Sequence, residues 1–293
     1  MYGSLEKIVE ETKKTQLPFW KVVQKEDCHE EDISEEQSFL KMMTMYEQMK
    51  ESAIINEKHM YSASCLVGGE SKKLKARMDE GRMLSGSFVS KVMEKALAVA
   101  ANNACMHRIV AAPTAGSCGV LPAVLLTYQE ENGCSDEKMT EALYVAAGIG
   151  GVIGTRASLS GAEGGCQAEI GSASAMAAGA LAYLDGGSEE EIIHASAIAL
   201  KGLLGLACDP VAGLVEVPCV KRNVIGSVNA VTSADMALAG IVSRIPPDEV
   251  IDAMRTIGAH MPLEVRETGI GGLAGTKRGQ EIAEELKTKK AAD

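Results

Sequence analysis

Apolar side chains recur at the spacing of an α-helix along most of the chain. Behind Ser34, a predicted helix places four apolar side chains at helical intervals: Phe39, Met42, Tyr46 and Met49. Intervals of three and four positions are typical of a helix that buries one face. Alternation of apolar and polar residues never extends beyond about five positions, which is too short to indicate a sheet. The pattern therefore predicts an all-α fold.

Helix-start signals support this division into helices. Ser34 with Gln37, and Ser188 with Glu191, have the spacing of a capping box, in which two side chains satisfy free backbone N–H groups. Ser135 starts another predicted helix. Two further helices are predicted to begin near residue 88 and near Pro122, and another follows the stretch 160–172. The last three predicted helices cover 228–243, 248–258 and 277–289.

Stretches rich in glycine and proline separate the helices and predict loops at 81–87, 113–122, 160–172 and 208–219. Pro210 and Pro218 exclude one continuous helix through the last stretch, because proline lacks the N–H group that a helix interior needs. Gly148, Gly150 and Gly151 lie inside a predicted helix, where they indicate either close packing or a break.

The organisation along the chain is simple. We find no internal repeat, low-complexity tract or linker, so the sequence predicts one domain over residues 1–293. Residues 1–33 are polar and charged, and they form a candidate peripheral segment of that domain.

Composition changes the picture of the core. Apolar residues make up 46% of the chain but aromatic residues only 3%, and there are 30 glycines. Alanine, leucine, isoleucine, valine and methionine must therefore fill the interior. Small side chains with few aromatic ones favour closely packed helices over a β-sandwich.

Charge and targeting signals narrow the possible partners. The net charge of −11 disfavours nucleic acid, whose phosphates repel an acidic chain. No apolar run reaches the ~18 residues of a membrane span. The N-terminus lacks the apolar segment of a secretory signal, so we expect a cytoplasmic protein without a disulfide framework.

Three of the eight cysteines are candidate metal ligands: Cys166, Cys208 and Cys219. Each lies in a loop-forming segment at the end of a predicted helix, where backbone N–H groups can stabilise a thiolate. Thiolates select iron–sulfur clusters, zinc or Cu(I). The alternative is that all three are small buried apolar side chains, as free cysteines usually are. If they hold a [4Fe-4S] cluster, one iron lacks a protein ligand and can act as a Lewis acid.

Four segments resemble the α chain of bacterial iron–sulfur L-serine dehydratases. They are GRMLSGSFVSKVMEKALAVAANN (81–103), APTAGSCGVLPAVLL (112–126), EGGCQAEIGSASAMAAGAL (163–181) and CDPVAGLVEVPCVKRN (208–223). The similarity runs through most of the chain, and the three cysteine motifs are specific to that family.

The resemblance implies a helical catalytic domain with a [4Fe-4S] cluster held by Cys166, Cys208 and Cys219. It implies conversion of L-serine to pyruvate and ammonia in the cytoplasm, as part of amino-acid degradation and gluconeogenesis. It also implies a separate β chain as partner, because this chain matches only the catalytic part. In some single-chain relatives a cysteine of the C-terminal tail caps the fourth iron, whereas the last cysteine here is Cys219.

Polar residues in the same segments are candidates for binding the substrate or moving a proton. The substrate-binding candidates are Ser85, Ser87, Thr114, Ser117, Lys221, Arg222 and Asn223. Hydroxyl, amide and cationic groups of this kind bind carboxylates. Glu163 and Glu169 flank Cys166 and are candidates for proton transfer, for binding the substrate ammonium or for orienting a ligand. The alternatives are helix caps, turn residues, solvated charges and hydrogen bonds to the loop.

Two other classes of protein are alternatives to an iron–sulfur dehydratase. A pyridoxal-phosphate dehydratase would catalyse the same reaction, but it needs a Schiff-base lysine and a glycine-rich phosphate loop on an α/β fold, which this sequence lacks. A non-catalytic helical iron–sulfur or metal-binding protein is the second class. An electron carrier normally binds its cluster through four cysteines, so three ligands favour catalysis.

Overall fold

A computed structural model describes residues 2–54 and 60–290. They form thirteen α-helices: α1 Leu5–Thr15, α2 Phe19–Glu31, α3 Glu35–Ser52, α4 Glu70–Asp79, α5 Gly86–Ala104, α6 Val120–Asn132, α7 Asp136–Arg156, α8 Gly161–Gly164, α9 Ser172–Leu184, α10 Glu189–Gly202, α11 Cys219–Leu238, α12 Pro247–His260 and α13 Lys277–Lys290. These residues contain isolated β-bridges but no strand. The all-α prediction is confirmed.

Helix α9 forms the centre of the core. Every residue of α9 except Tyr183 is buried, and α6, α7, α10 and α11 pack around it. A Cβ atom on Gly179 would lie 2.2 Å from Ile149 Cδ1 of α7, so glycine lets these two helices approach closely. A small residue, as the composition predicted for the core, therefore lies where α7 and α9 pack closely together.

The predicted helix starts are confirmed at the three positions where a serine side chain caps the backbone. Both capping boxes form, at Ser34 with Gln37 and at Ser188 with Glu191, and Ser135 caps α7. Helix α7 continues through Gly148 and Gly150 without a break. A Cβ atom on Gly148 would lie 2.6 Å from Val23 Cγ2 of α2, which favours the close-packing interpretation of this glycine.

Two predictions about local structure need correction, and one helix was not predicted. The stretch 160–172 is largely helical: α8 is followed by a π-helical turn, Gln167–Gly171, that leads directly into α9. Helix α11 covers Cys219–Leu238, so it begins and ends earlier than 228–243. The sequence analysis did not predict α4, which begins directly after Gly69.

Within the described part of residues 1–33, two helices contribute to the core, so this segment is not peripheral. These helices are α1 and α2, which bury Leu5, Ile8 and Phe19. The free N–H group of Leu5 donates to Asp248 Oδ1 of α12 at 2.9 Å, so an acidic side chain from another helix caps α1. Their apolar residues are too few for the segment to look buried in the sequence alone.

No helix in residues 2–54 or 60–290 combines the length and the apolar character that crossing a membrane requires.

Candidate active site

The three candidate ligand cysteines converge from separate parts of the chain. Cys166 lies between α8 and the π-helical turn, Cys208 lies in the loop behind α10, and Cys219 is the first residue of α11. Cys166 and Cys208 are buried and Cys219 is half-buried. Burial is the largest cause that raises the pKa of the three thiols, and the Glu169 carboxyl also raises the pKa of each of them, which places all three cysteines in the region of this carboxyl.

Buried Gln167 connects the chain beside Cys166 to the chain approaching Cys208. Its Nε2 donates to the carbonyl of Met254 at 3.0 Å, and its Oε1 accepts from the N–H group of Gly205 at 2.9 Å. Its own N–H group donates to the carbonyl of Leu206 at 3.1 Å. These bonds fix the segment of Cys166 against the segment of Cys208.

Cys208 is also held by the C-terminal region of the chain. Its N–H group donates to the carbonyl of Val265, and its carbonyl accepts from the N–H group of Glu267, both at 2.8 Å. Neighbouring Asp209 is buried and accepts from the N–H group of Leu273 at 2.7 Å. The loop behind α12 therefore packs directly on the Cys208 segment.

The Glu169 carboxyl lies beside the Cys208 thiol. Its Oε1 accepts from Thr114 Oγ1 at 2.8 Å, and Cys208 Sγ lies 3.7 Å from its Oε2. A Cβ atom on Gly161 would lie 2.8 Å from Glu169 Oε2 and 3.0 Å from Cys208 Sγ, so glycine makes room for both groups. Burial raises the pKa of the Glu169 carboxyl above its ordinary value.

An open pocket begins at Glu169. Its lining residues are Thr114, Ala115, Gly116, Leu159, Ser160, Gly161, Glu169, Val215 and Glu267. Two hydroxyl groups and two carboxyl groups therefore face a space that is accessible from outside. Perturbed titratable groups at a pocket are a common feature of active sites.

Burial keeps the three thiols protonated in the described chain. It raises the pKa of Cys166 to about 12 and that of Cys219 to about 11, and it also raises the pKa of Cys208. For Cys166 and Cys219, the guanidinium of Arg222 partly opposes this rise. A metal that binds these thiols must displace their protons.

The thiols suit an iron–sulfur cluster in chemical type. Across the described ranges, no three His, Cys, Asp or Glu side chains are arranged to hold a single metal ion. A four-iron cluster is much larger than one ion and spreads its thiolate ligands over its corners. Three thiols on separate segments fit that arrangement in donor type.

The three polar residues behind Cys219 are already engaged with the protein. Lys221 Nζ lies 3.2 Å from Glu70 Oε1, and Arg222 Nη2 lies 2.8 Å from Asp209 Oδ1. Asn223 Oδ1 accepts from the N–H group of Gly119 at 2.8 Å, and its Nδ2 donates to two carbonyls. Their contacts therefore favour structural roles over substrate binding.

The remaining predicted residues divide between the pocket and other places. Thr114 lines the pocket, and Ser117 is fully buried behind it, 3.1 Å from Thr114 Oγ1. Ser85 and Ser87 are exposed at the start of α5, where Ser85 Oγ contacts Ser90 Oγ at 3.0 Å. Glu163 is exposed, and its Oε2 accepts from Ser158 Oγ at 2.6 Å.

The sequence analysis missed two buried acids of the Cys208–Cys219 segment. Asp209 pairs with Arg222, and Glu216 accepts from Ser62 Oγ at 2.8 Å. Both lie within a few positions of a predicted ligand in a segment containing prolines. An acidic residue in an otherwise apolar loop was the signal that could have identified them.

Comparison with known proteins gives consistent results. The profile of the family described as "Serine dehydratase alpha chain" matches residues 14–274. A protein named "Probable L-serine dehydratase, alpha chain" from Bacillus subtilis is 45% identical over 286 residues, which cover 98% of this chain and 95% of that protein.

Two further relatives differ in length. The "L-serine dehydratase, alpha chain" of Peptoniphilus asaccharolyticus is 40% identical, covering 96% of this chain and 97% of that protein. An L-serine dehydratase of Escherichia coli is 46% identical over 181 residues, which are 61% of this chain but only 40% of that protein. The family profile and the nearly full-length similarity to two alpha chains agree, and the chain therefore belongs to the serine dehydratase alpha chain family.

Proposed function

We propose that this chain is the catalytic α chain of an L-serine dehydratase, which converts L-serine to pyruvate and ammonia. The observation that carries the proposal is the convergence of three cysteines around half-buried Glu169, which lines an open pocket. The names of the similar proteins supply the substrate. The naming as an alpha chain supports a separate β chain as partner, and we propose that both act in the cytoplasm.

Cys166, Cys208 and Cys219 would hold a [4Fe-4S] cluster. When bound through three thiolates, such a cluster offers an open iron that can act as a Lewis acid for the β-hydroxyl of serine. The protein contributes the fixed positions of the thiols. Gln167 holds the segment of Cys166 in place. The backbone bonds of Cys208 to Val265 and Glu267 hold Cys208.

Glu169 is the residue that we assign to proton transfer. Elimination transfers the α-proton of serine to a base and releases the β-hydroxyl as water after the hydroxyl has gained a proton, leaving 2-aminoacrylate. The proton taken from Cα balances the proton delivered to the hydroxyl, so the net loss is one water. Glu169 lies at the pocket beside Cys208, and Thr114 holds its Oε1, so Oε2 is the oxygen placed to deliver that proton. Aminoacrylate then tautomerises to an imine, which water hydrolyses to pyruvate and ammonia.

Thr114 is the substrate-binding residue that we retain from the sequence analysis. Its hydroxyl lines the pocket, beside the backbone of Ala115 and Gly116. The pocket is open, so serine can enter and reach half-buried Glu169 in its lining. Because Arg222 is engaged by Asp209, we do not assign it to the substrate carboxylate.

An anaerobic assay tests the proposed function. The full chain is reconstituted with iron and sulfide, combined with its β chain and assayed for pyruvate formation that depends on serine. We expect Cys208→Ala to lose both the visible absorption of the cluster and the activity. Cys28→Ser is the matched control, because Cys28 lies in α2 away from the other thiols, and it should retain both.

Two outcomes would contradict the proposal. A Cys208→Ala protein with unchanged cluster content and activity would refute the ligand assignment. A fully reconstituted complex that forms no pyruvate from serine, although its cluster content is complete, would refute the enzymatic function and leave a non-catalytic iron–sulfur protein.

A further inference from the structure

A short turn far in sequence from the three ligand cysteines packs against the segment that carries Cys219. We call residues 61–68 the serine turn. Its ends are joined by an antiparallel bridge between Tyr61 and Gly68, and the N–H group of Ser62 donates to the carbonyl of Val67 at 3.1 Å. Gly68 has φ +138°, and a Cβ atom there would lie 2.3 Å from the carbonyl oxygen of Met60, so the turn requires glycine.

The serine turn presents two hydroxyl groups to one buried carboxylate oxygen. Ser62 Oγ donates to Glu216 Oε2 at 2.8 Å, and Ser64 Oγ donates to the same oxygen. Ser62 and Glu216 are only 2% and 6% exposed. Hydrogen bonds to a carboxylate away from water are stronger than neutral ones, so this contact joins the two segments firmly.

Glu216 is directly coupled to the helix turn that contains Cys219. Its carbonyl accepts from the N–H group of Val220 at 3.0 Å, which closes the turn around Cys219. On the other side of the cysteine, Lys221 pairs with Glu70, whose Oε2 accepts from the N–H group of Gly68 at 2.6 Å. The chain around the serine turn therefore contacts the segment of Cys219 both before and after the thiol.

We propose that Glu216, held by Ser62 and Ser64, is a positioning residue that fixes Cys219 for cluster binding. The inference rests on the proposed function, since it adds a role to one ligand of the proposed cluster. Cys219 is the least buried of the three ligands. Cys219 is the first residue of a helix and follows a loop, so contacts from another segment are needed to hold it. Cys166 lies between two helical turns, which hold it from both sides.

The first test uses the full chain without cluster. Under anaerobic conditions, N-ethylmaleimide labelling of each cysteine is followed by mass spectrometry of the peptides. In the Ser62→Ala/Ser64→Ala variant, we expect labelling of Cys219 to accelerate about tenfold, because the lost bonds allow the segment to open locally. Labelling of Cys166 should change by less than about twofold.

Two further variants separate positioning from general loosening. Glu216→Gln keeps an oxygen that can accept from both serines, so its Cys219 labelling should stay close to that of the unchanged protein. Ser188→Ala removes a hydroxyl-to-carboxylate bond of the same length, 2.8 Å from Ser188 Oγ to Glu191 Oε2, at the exposed start of α10, and it should leave all labelling rates unchanged. Circular dichroism melting confirms that each variant is folded.

The second test uses the chain reconstituted with iron and sulfide. A chelator should remove the cluster from the double serine variant about tenfold faster than from Glu216→Gln, as followed by visible absorption. Unchanged Cys219 labelling, or equal acceleration at all three thiols, would overturn the proposal. Because labelling needs no cluster, accelerated Cys219 labelling in a chain that never binds a cluster would show that Glu216 fixes the Cys219 segment but would refute the proposed cluster and, with it, the proposed function.

Discussion

At the scale of single residues, polar groups beside the cysteines mostly serve the protein backbone. Asn223 illustrates this: it is 1% exposed, and its Nδ2 donates to the carbonyls of Gly116 and Cys219 at 2.8 and 2.9 Å. Its Oδ1 accepts from the N–H group of Gly119. The side chain thereby fixes the pocket wall that carries Thr114 to the start of α11. The sequence identifies Asn223 as polar and close to a cysteine but does not reveal its partners.

Asn223→Asp should destabilise the protein strongly, although the side chain keeps its size. The carboxylate can still accept from Gly119, but it cannot donate to the two carbonyls and it repels them. Leaving such buried groups unpaired costs about 1–3 kcal/mol each, so we expect the free energy of unfolding to fall by about 2–5 kcal/mol. Urea unfolding of the cluster-free chain measures this change.

The matched control for this substitution is Asn132→Asp. Asn132 is exposed and donates from Nδ2 to the carbonyl of Tyr128 at 3.1 Å. We expect its free energy of unfolding to change by less than about 1 kcal/mol. Equal effects at Asn132 and Asn223 would show that the buried amide network adds nothing to stability.

Glu169→Gln tests the assignment of proton transfer. Glutamine can still accept from Thr114 but cannot deliver a proton, so we expect kcat for pyruvate formation to fall about 100-fold or more, while KM changes much less. The iron content after reconstitution should equal that of the unchanged chain, which separates catalysis from cluster assembly.

Glu94→Gln provides the control for removal of a buried carboxyl. Burial also raises the pKa of Glu94, which lies in α5 and interacts with Lys95, Lys75 and Glu130 rather than with the thiols. Its kcat should be unchanged. A Glu169→Gln enzyme with more than half of the original kcat would remove Glu169 from the proposed mechanism.

At the scale of helices, α7 and α9 approach each other closely because one of them has a glycine at the point of contact. Gly179→Ala should destabilise the protein, because the added Cβ lies 2.2 Å from Ile149 Cδ1 and 3.3 Å from the carbonyl of Ile192. Ile149 is itself fully buried, so its Cδ1 would have to shift within the packed core. We expect a loss of about 1–3 kcal/mol, as for other overpacked cores, measured by urea unfolding.

Gly154→Ala in α7 is the matched control for this effect. Gly154 is exposed, and its added Cβ would meet only Leu159 side-chain atoms, at 3.2 Å or more. Alanine has the higher helix propensity, so the free energy of unfolding should rise by up to about 1 kcal/mol. If Gly179→Ala also stabilised the protein, close packing of α7 and α9 would not explain the glycine.

The helices also show what a sequence can and cannot predict. A helix start at Ser34, Ser135 or Ser188 depends on neighbours within four positions, so local pattern is sufficient. The helical path through 160–172 depends on distant partners: Gln167 bonds to Met254 and Gly205. Glycine-rich composition predicts a loop there, and only the surrounding helices make a π-helical turn stable.

At the scale of the whole molecule, the cysteine segments could be located in the sequence but their surroundings could not. Loop composition and family resemblance single out Cys166, Cys208 and Cys219. The groups that hold them come from far along the chain: Val265 and Glu267 bond to Cys208, and Ser62 reaches Glu216. Such contacts leave no periodic signal, because each involves one residue in an irregular segment.

Three of the few aromatic residues form one cluster between α2, α3 and α7. Trp20 of α2, Phe39 of α3 and Tyr144 of α7 pack together, with ring centroids 6.3 Å apart for Trp20–Phe39 and 6.4 Å apart for Phe39–Tyr144. Aromatic side chains bury large areas. The N-terminal helices therefore attach to α7 by aromatic contacts, whereas α7 and α9 meet through small residues.

Removal of residues 1–17 tests whether the N-terminal region is integral to the fold. The deletion takes away buried Leu5, Ile8 and Val9, each worth about 1.5–3 kcal/mol of burial, against a total stability of about 5–15 kcal/mol. We expect the truncated, cluster-free chain to lose its cooperative thermal transition or to melt at a much lower temperature in circular dichroism. Removal of 287–293 is the control, because residues 287–289 are exposed, and it should melt like the full chain. Equal melting temperatures for the two deletions would mean that α1 is dispensable to the core.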